Sequence, residues 1–371
     1  MVQTKQTSIA CRAGRLRSFV AFLSLCIAAL PSLAEANPKI VVDVNTGRVI
    51  EHEDAFRKWY PASLTKLMTA YTTFRAIRSG QLALTSIVTM SKKAVDQPAS
   101  KMYFNPGAKL TLDSALKILL VKSANDVAVA IAETVGGSLD NFIARMNADA
   151  ARLGMDSSHF VNPNGLPGPG QYTTARDLAV LAVAIRREFP EYASFFALEG
   201  ITTGTRVYPN YNLLIGRFDG ADGMKTGYIC ASGFNQVSSA TRNGRTVVSV
   251  VLGAESLGAR ADISAELLQK ALATRANTGV KLESLAPYGQ GLDTVTDISG
   301  EICTPEARKE RSEARDEDGK MKIYSPYIRE MDRPPRAVFA GLLPGSDVPS
   351  KPGSAGGEIA NVPIPIPRPT F

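Results

Sequence analysis

The chain sets an unbroken series of helical segments between stretches that form strands, and this order restricts it to few folds. From about residue 110 to 197 the pattern is helical. Thr111 caps a segment over 112–121, and a second over 126–135 stops at Gly136-Gly137. Ser138 caps a third that ends at Gly154, and Thr174 caps a fourth that ends before Pro190. Between the last two lies a loop, His159-Phe160-Val161-Asn162-Pro163-Asn164-Gly165, with more proline up to Pro169. Ahead of this block, residues 39–53 read as a hairpin: Ile40-Val41-Val42 and Val49-Ile50 flank the turn Asn45-Thr46-Gly47. A helix over 63–79 follows Pro61 and closes at Gly80, with Leu64, Leu67, Met68 and Tyr71 on one face. After the block come strands over 224–229, 236–241 and 246–252, the last two joined at Asn243-Gly244, and then an amphipathic helix over 259–274. The expected class is α+β: an antiparallel sheet flanked by helices, with an all-helical subdomain inserted in the middle.

The two ends differ from this core. Residues 1–36 carry Lys5, Arg12, Arg15 and Arg17, then an apolar run from Phe19 to Leu33, then Ala34-Glu35-Ala36. That is the pattern of a secretory signal peptide cleaved near Ala36, and the run is short for a spanning helix. Export to the periplasm or cell envelope is the expectation, with no strong membrane anchor. Losing the leader lowers the formal charge from +7, because it holds more basic than acidic residues. A mildly basic surface suits an anionic wall polymer; no basic stripe with aromatic interleaving argues for nucleic acid. The core domain is expected over 37–280. Residues 281–371 hold a mixed-charge run and then a Pro-rich stretch, and they read as a largely disordered tail.

Cys11 and Cys26 fall in the leader, which leaves Cys230 and Cys303. A pair in an exported chain is expected to form one disulfide; two buried free thiols are the alternative. The histidines are His52 and His159, and no ligand spacing points to a metal or other cofactor.

Three short strings carry the chemistry. In Ser63-Leu64-Thr65-Lys66 a hydroxyl and an amine share one helix face, as a serine nucleophile and its base require. The lysine must be neutral, which burial and a nearby cation would both favour, and Lys225 is the expected cation. Ser63 alone also reads as an ordinary helix cap, and Ser114-Ala115-Leu116-Lys117 repeats the spacing. Ser123-Ala124-Asn125 falls at a break between two helices, where a hydroxyl and an amide can enter a cleft; Asn125 alone also reads as a cap. Lys225-Thr226-Gly227 sits on a strand, where lysine could hold a carboxylate and glycine clears the edge for a paired substrate; a surface lysine is the plain alternative.

Together, and in this order, the strings form the motif set of β-lactamases and penicillin-binding proteins. The chain resembles the serine D-alanyl-D-alanine carboxypeptidases of low molecular mass over roughly residues 38–275. Tyr60-Pro61-Ala62, Gly154-Met155 and Tyr172-Thr173-Thr174-Ala175-Arg176-Asp177 extend the likeness. The resemblance implies a transpeptidase-like fold and release of the terminal D-alanine from peptidoglycan stem peptides, with β-lactam antibiotics as covalent inhibitors. It implies Ser63 as nucleophile, Lys66 as proton acceptor and Ser123 as proton shuttle. Asn125 would bind the peptide amide. Lys225 and Thr226, beside Gly227, would hold the terminal carboxylate with help from Arg260. The backbone N–H groups of Ser63 and Tyr228 would form the oxyanion hole. Ile229-Cys230 departs from the polar pair usual after the third motif.

Three other readings compete. A β-lactamase needs a carboxylate that activates the deacylating water. A peptidoglycan endopeptidase would use the same machinery on cross-links. A catalytically degenerate wall-binding protein would have no need of these residues together. A Ser-His-Asp arrangement on His159 lacks a nucleophile elbow.

Overall fold

A computed structural model describes residues 1–3, 37–274, 279–315 and 321–346. Apart from residues 1–3, the expected leader lies outside the described residues, as does the Pro-rich end from 347 onward. The expected hairpin is β1 (Lys39–Asp43) and β2 (Val49–Glu53), paired antiparallel with a bulge at Val41/Val42. The helix expected over 63–79 is a 3-10 turn at Ala62–Leu64 that runs into α1 (Thr65–Arg78). Leu64, Leu67, Met68 and Tyr71 on its apolar face are all buried.

Two short strands, β3 (Ile87–Thr89) and β4 (Lys109–Thr111), pair across the one-turn helix α2 (Lys92–Val95). They introduce the helical insert: α3 (Leu112–Val121), α4 (Asn125–Gly136), α5 (Leu139–Arg152) and α6 (Ala175–Glu188). Thr111, Ser138 and Thr174 accept the backbone N–H three residues on, as their cap positions require. A short helix α7 (Ala193–Phe196) and a small ladder of β5 (Gly200–Thr202) and β6 (Val207–Pro209) follow.

The chain then returns to the main sheet through β7 (Ala221–Ile229), β8 (Gly233–Arg242) and β9 (Arg245–Ala254), and ends the core in α8 (Leu257–Ala273). The five-stranded order is β2-β1-β9-β8-β7, with every neighbour antiparallel. Strand alternation fills both faces. Val248, Val250 and Leu252 of β9 join Ile40 and Val42 in the core shared with the helical insert. Val247 and Val251 join Val41 in a second core under α8. The last strand, β7, is an edge: one side is paired and the other faces the helical insert.

The stretch expected to be a disordered tail is, in its described part, a strap bound to the core. Leu282 N–H donates to Gly47 O and Ile298 N–H to Ala231 O. Short helices α9 (Ser299–Ile302) and α10 (Pro305–Glu313) follow, and β10 (Ala337–Phe339) adds in parallel to β5. Leu282, Ile298, Ile302 and Ala340 are buried in the main core. The segment is too sparse in apolar residues to build a core of its own. It is ordered by inserting single side chains into one that already exists. No single helix among the described residues is long and apolar enough to cross a membrane.

Candidate active site

Ser63 lies in the 3-10 turn, and its hydroxyl caps no helix: neither that turn nor α1 has a side-chain cap. The preceding residue, Ala62, has φ of 45°, a left-handed conformation that costs a non-glycine residue energy and is held by its surroundings. Gly165 shows how tightly. A Cβ there would come within 1.8 Å of Ala62 O, so the Pro163-Asn164-Gly165 loop lies directly on the turn that carries Ser63. Gly227 presses from the other side: its missing Cβ would sit 3.0 Å from Ser63 N. The glycine of the third motif therefore lets β7 approach the nucleophile turn, a role distinct from the clear substrate edge expected of it.

Lys66 is one turn on, fully buried, with Nζ 3.1 Å from Ser63 Oγ. It also donates to Asn125 Oδ1 at 2.8 Å and to Asn164 O at 2.6 Å. Burial, opposed by the charge of Asp126 and aided by that of Lys122, brings its pKa down to about 7. Lys122 thus joins Lys225, the expected cation, whose charge and that of Lys66 disfavour each other. The repeated spacing at Ser114 is a decoy, because Lys117 pairs with Asp113 at 2.6 Å.

Ser123 sits between α3 and α4 with φ of 61°, a second left-handed non-glycine residue at the site. Asn125 opens α4, but its side chain caps nothing. It accepts from Lys66 and donates to Pro98 O at 3.0 Å. From β7, Lys225 donates to Ser123 Oγ at 2.9 Å and to Thr226 O at 2.7 Å. It is only 2% exposed, which disposes of the surface-lysine reading. Burial first, then Lys66, Arg260 and Lys122, lower its pKa well below that of a free lysine. Arg260, in the first turn of α8, is buried as well; it donates to Tyr211 O at 3.1 Å and Asn235 O at 3.4 Å. Burial lowers its pKa to about 9. Two sets of contacts therefore face each other, Ser63–Lys66–Asn125 and Ser123–Lys225, with Thr226 and Gly227 beside them.

Tyr228 follows Gly227 on β7, its ring 4.3 Å from that of Phe234. Its hydroxyl is 3.3 Å from Cys303 Sγ, in the disulfide that joins Cys303 to Cys230 with Cα atoms 5.6 Å apart. The bond ties the strap to the end of the motif strand. His159 takes no part in this arrangement: its Nδ1 bonds Gly170 O, and its backbone pairs with Tyr172 to close the loop. Among the described residues no cluster of His, Cys, Asp or Glu could hold a metal ion.

Sequence reading missed three contributors. Asn164 acts through its backbone oxygen, to which no side-chain type is a guide. Asp126 accepts from Met102 N–H at 2.8 Å and Tyr103 N–H at 3.2 Å, and so fixes the segment over 98–103 against α4. Lys122, next to Ser123, had its signal in plain view, but a lysine closing a helix is ordinarily read as a partner for the helix dipole.

A protein-family model described as D-alanyl-D-alanine carboxypeptidase matches residues 27–256. The D-alanyl-D-alanine carboxypeptidase DacC of Escherichia coli is 36% identical over 241 residues, covering 63% of this chain and 60% of that protein. This chain thus spans less than two thirds of that relative's length. Among solved structures, the D-alanyl-D-alanine carboxypeptidase DacD from Francisella tularensis superposes with TM-score 0.62 at 30% identity, over 72% of this chain and 74% of that one. Penicillin binding protein 5 from Haemophilus influenzae gives 0.62 at 32% identity, over 64% and 71%.

Proposed function

The chain belongs to the family of D-alanyl-D-alanine carboxypeptidases, and we propose that it removes the terminal D-alanine from peptidoglycan stem peptides through an acyl-enzyme on Ser63. The observation that carries the reading is the contact of Ser63 Oγ with a fully buried lysine whose pKa is lowered to about 7. A neutral amine has two N–H bonds and one lone pair. Asn125 Oδ1 and Asn164 O accept the two N–H bonds, so the lone pair is left for the Ser63 proton.

In the first step Ser63 Oγ bonds to the carbonyl carbon of the penultimate D-alanine, and its proton passes to Lys66 Nζ. Charge gathers on the carbonyl oxygen, toward which the backbone N–H groups of Ser63 and Tyr228 point in this reading. Collapse breaks the C–N bond, and the leaving D-alanine takes a proton through Ser123. Lys225 steadies that hydroxyl at 2.9 Å. Asn125 holds the peptide amide, while Lys225, Thr226 and Arg260 hold the free carboxylate. A water then attacks the Ser63 ester and releases the shortened peptide.

A β-lactam would acylate the same serine, in keeping with the name of the penicillin-binding neighbour. The β-lactamase reading is disfavoured: Asp126, the carboxylate that acts on Lys66, is turned to the backbone N–H groups of Met102 and Tyr103. The leader pattern supports export to the periplasm and work on the cell wall, and thus a part in cell shape. The test is a fluorescent penicillin with a defined pentapeptide. Wild-type protein takes the label and releases one D-alanine, and Ser63→Ala does neither. A Ser63→Ala protein that still releases D-alanine would end the reading.

A further inference from the structure

Lys122 is a third buried lysine at this site, and the acyl-transfer scheme leaves it without a task. It closes α3 and is 7% exposed. Its ammonium donates to Ser100 Oγ at 2.6 Å and to Tyr211 Oη at 3.3 Å, and it makes no ion pair among the described residues. Its Nζ also lies 5.8 Å and 5.6 Å from the ring centres of Tyr208 and Tyr211, but two neutral hydroxyls and two rings leave one N–H without an acceptor and the charge without an acid. Lys225 and Arg260 likewise bond no acid among the described residues: their bonds go to a serine hydroxyl and to backbone carbonyls. Arg260 Nε is buried with no hydrogen-bond partner.

Tyr211 joins two of the three. Its hydroxyl receives Lys122, its backbone oxygen receives Arg260, and its side is open, at 37% exposure. Lys122 immediately precedes Ser123, whose hydroxyl receives Lys225, and Tyr211 links it to Arg260, so it stands beside the cationic side of the cleft; its charge bears on Lys66 and Lys225 as well. Buried cations with no acid among them are costly unless an anion completes the group.

We propose that Lys122, braced by Tyr211, is a specificity-determining residue that binds the substrate's C-terminal carboxylate together with Lys225, Thr226 and Arg260. The assignment rests on the carboxypeptidase reading of the site. It adds a side chain from the helical insert to a pocket otherwise built from β7 and α8, so the carboxylate is gripped from both walls of the cleft.

The test compares wild type, Lys122→Met and Lys122→Arg in the full chain. Each is given diacetyl-lysyl-D-Ala-D-Ala as the free acid and as its C-terminal amide, and benzylpenicillin as the free acid and as its methyl ester. Lys122→Met should raise KM for the free-acid peptide by about tenfold or more, with a smaller change in kcat. The amide should lose much less, and the preference for free penicillin over its ester should shrink. Lys122→Arg should recover part of that preference. Rates are followed from about pH 6 to 10, so that a moved acid limb from Lys66 is separated from a lost carboxylate contact. Tyr211→Phe is the second probe, should Lys122→Met fold poorly, and should weaken the acid preference alone.

Equal losses on acid and amide, or an unchanged acid preference, overturn the proposal. If wild type takes up penicillin but cleaves neither peptide, the carboxypeptidase reading fails, while the penicillin acid–ester comparison still decides the role of Lys122. If wild type takes neither, both fall.

Discussion

At the scale of single residues, the site depends on a lysine that burial keeps poor in protons. A lysine in water is charged through the neutral range. Lys66 is enclosed by Asn125, Asn164 and the Ser63 turn, and its pKa falls to about 7 because a charged amine there is poorly solvated. The sign follows directly. Above about 7 the amine is neutral, and in the proposed scheme it then accepts the Ser63 proton; below it the lone pair is filled and acylation should stop. The rate of penicillin acylation should therefore drop tenfold for each pH unit on the acid side of that value, and level off above it. A profile flat down to pH 5 would mean that Lys66 is not the proton acceptor. Lys122 and Asp126 act on this lysine in opposite directions, and neither could be assigned that part from the sequence, because the influence runs through space and not along the chain.

At the scale of elements, the site is assembled where three pieces meet. The 3-10 turn before α1 brings Ser63, the α3–α4 break brings Ser123 and Asn125, and the edge strand β7 brings Lys225. Capping residues and turn signals made α3 to α6 legible, since Thr111, Ser138 and Thr174 are local features. The hairpin across Asn243-Gly244 was legible for the same reason. The short strands β3, β4, β5, β6 and β10 were not, since three residues carry too little alternation to read. How close β7 lies to the nucleophile turn is likewise a tertiary matter, and it gives a prediction. Gly227→Ala would place a methyl 3.0 Å from Ser63 N and 3.2 Å from Ala62 Cβ, both on a turn already clamped by Gly165. Acylation of Gly227→Ala should fall by about a hundredfold or more, the usual consequence of moving reacting groups by an ångström, while its far-ultraviolet dichroism stays native. Near-normal labelling would mean that the turn can yield.

At the scale of the whole molecule, the described residues of the strap, 281–315 and 321–346, are part of the folded protein. It reaches the hairpin at Gly47, the end of β7 at Ala231, and the small ladder at β5. Arg333 holds Glu199 through two bonds of 2.7 Å, and this pairing pulls the Glu199 pKa down to about 2. The Cys230–Cys303 bridge closes a loop of 73 residues between sheet and strap. In the chain-entropy account such a cross-link stabilises by about 2–5 kcal/mol. Cys230→Ser/Cys303→Ser should lose that much in urea unfolding, and reductant should bring wild type toward the same value. It should also slow acylation, because Tyr228 rests against the bridge. An unchanged midpoint would show that Leu282, Ile298 and Ile302 suffice to hold the strap.

The sequence by itself determined the fold class, the order of the main elements and the three strings whose side chains line the candidate site. Those follow from periodicity, capping and motif spacing, which act over a few residues. Tertiary structure alone decided that Lys66 is enclosed with its pKa lowered, that Lys122 is buried next to Ser123, that Gly227 lets β7 approach the Ser63 turn, and that the described part of the strap packs on the core. Each of these depends on distances between segments far apart in the chain, where burial and charge are set by whatever folding happens to bring alongside.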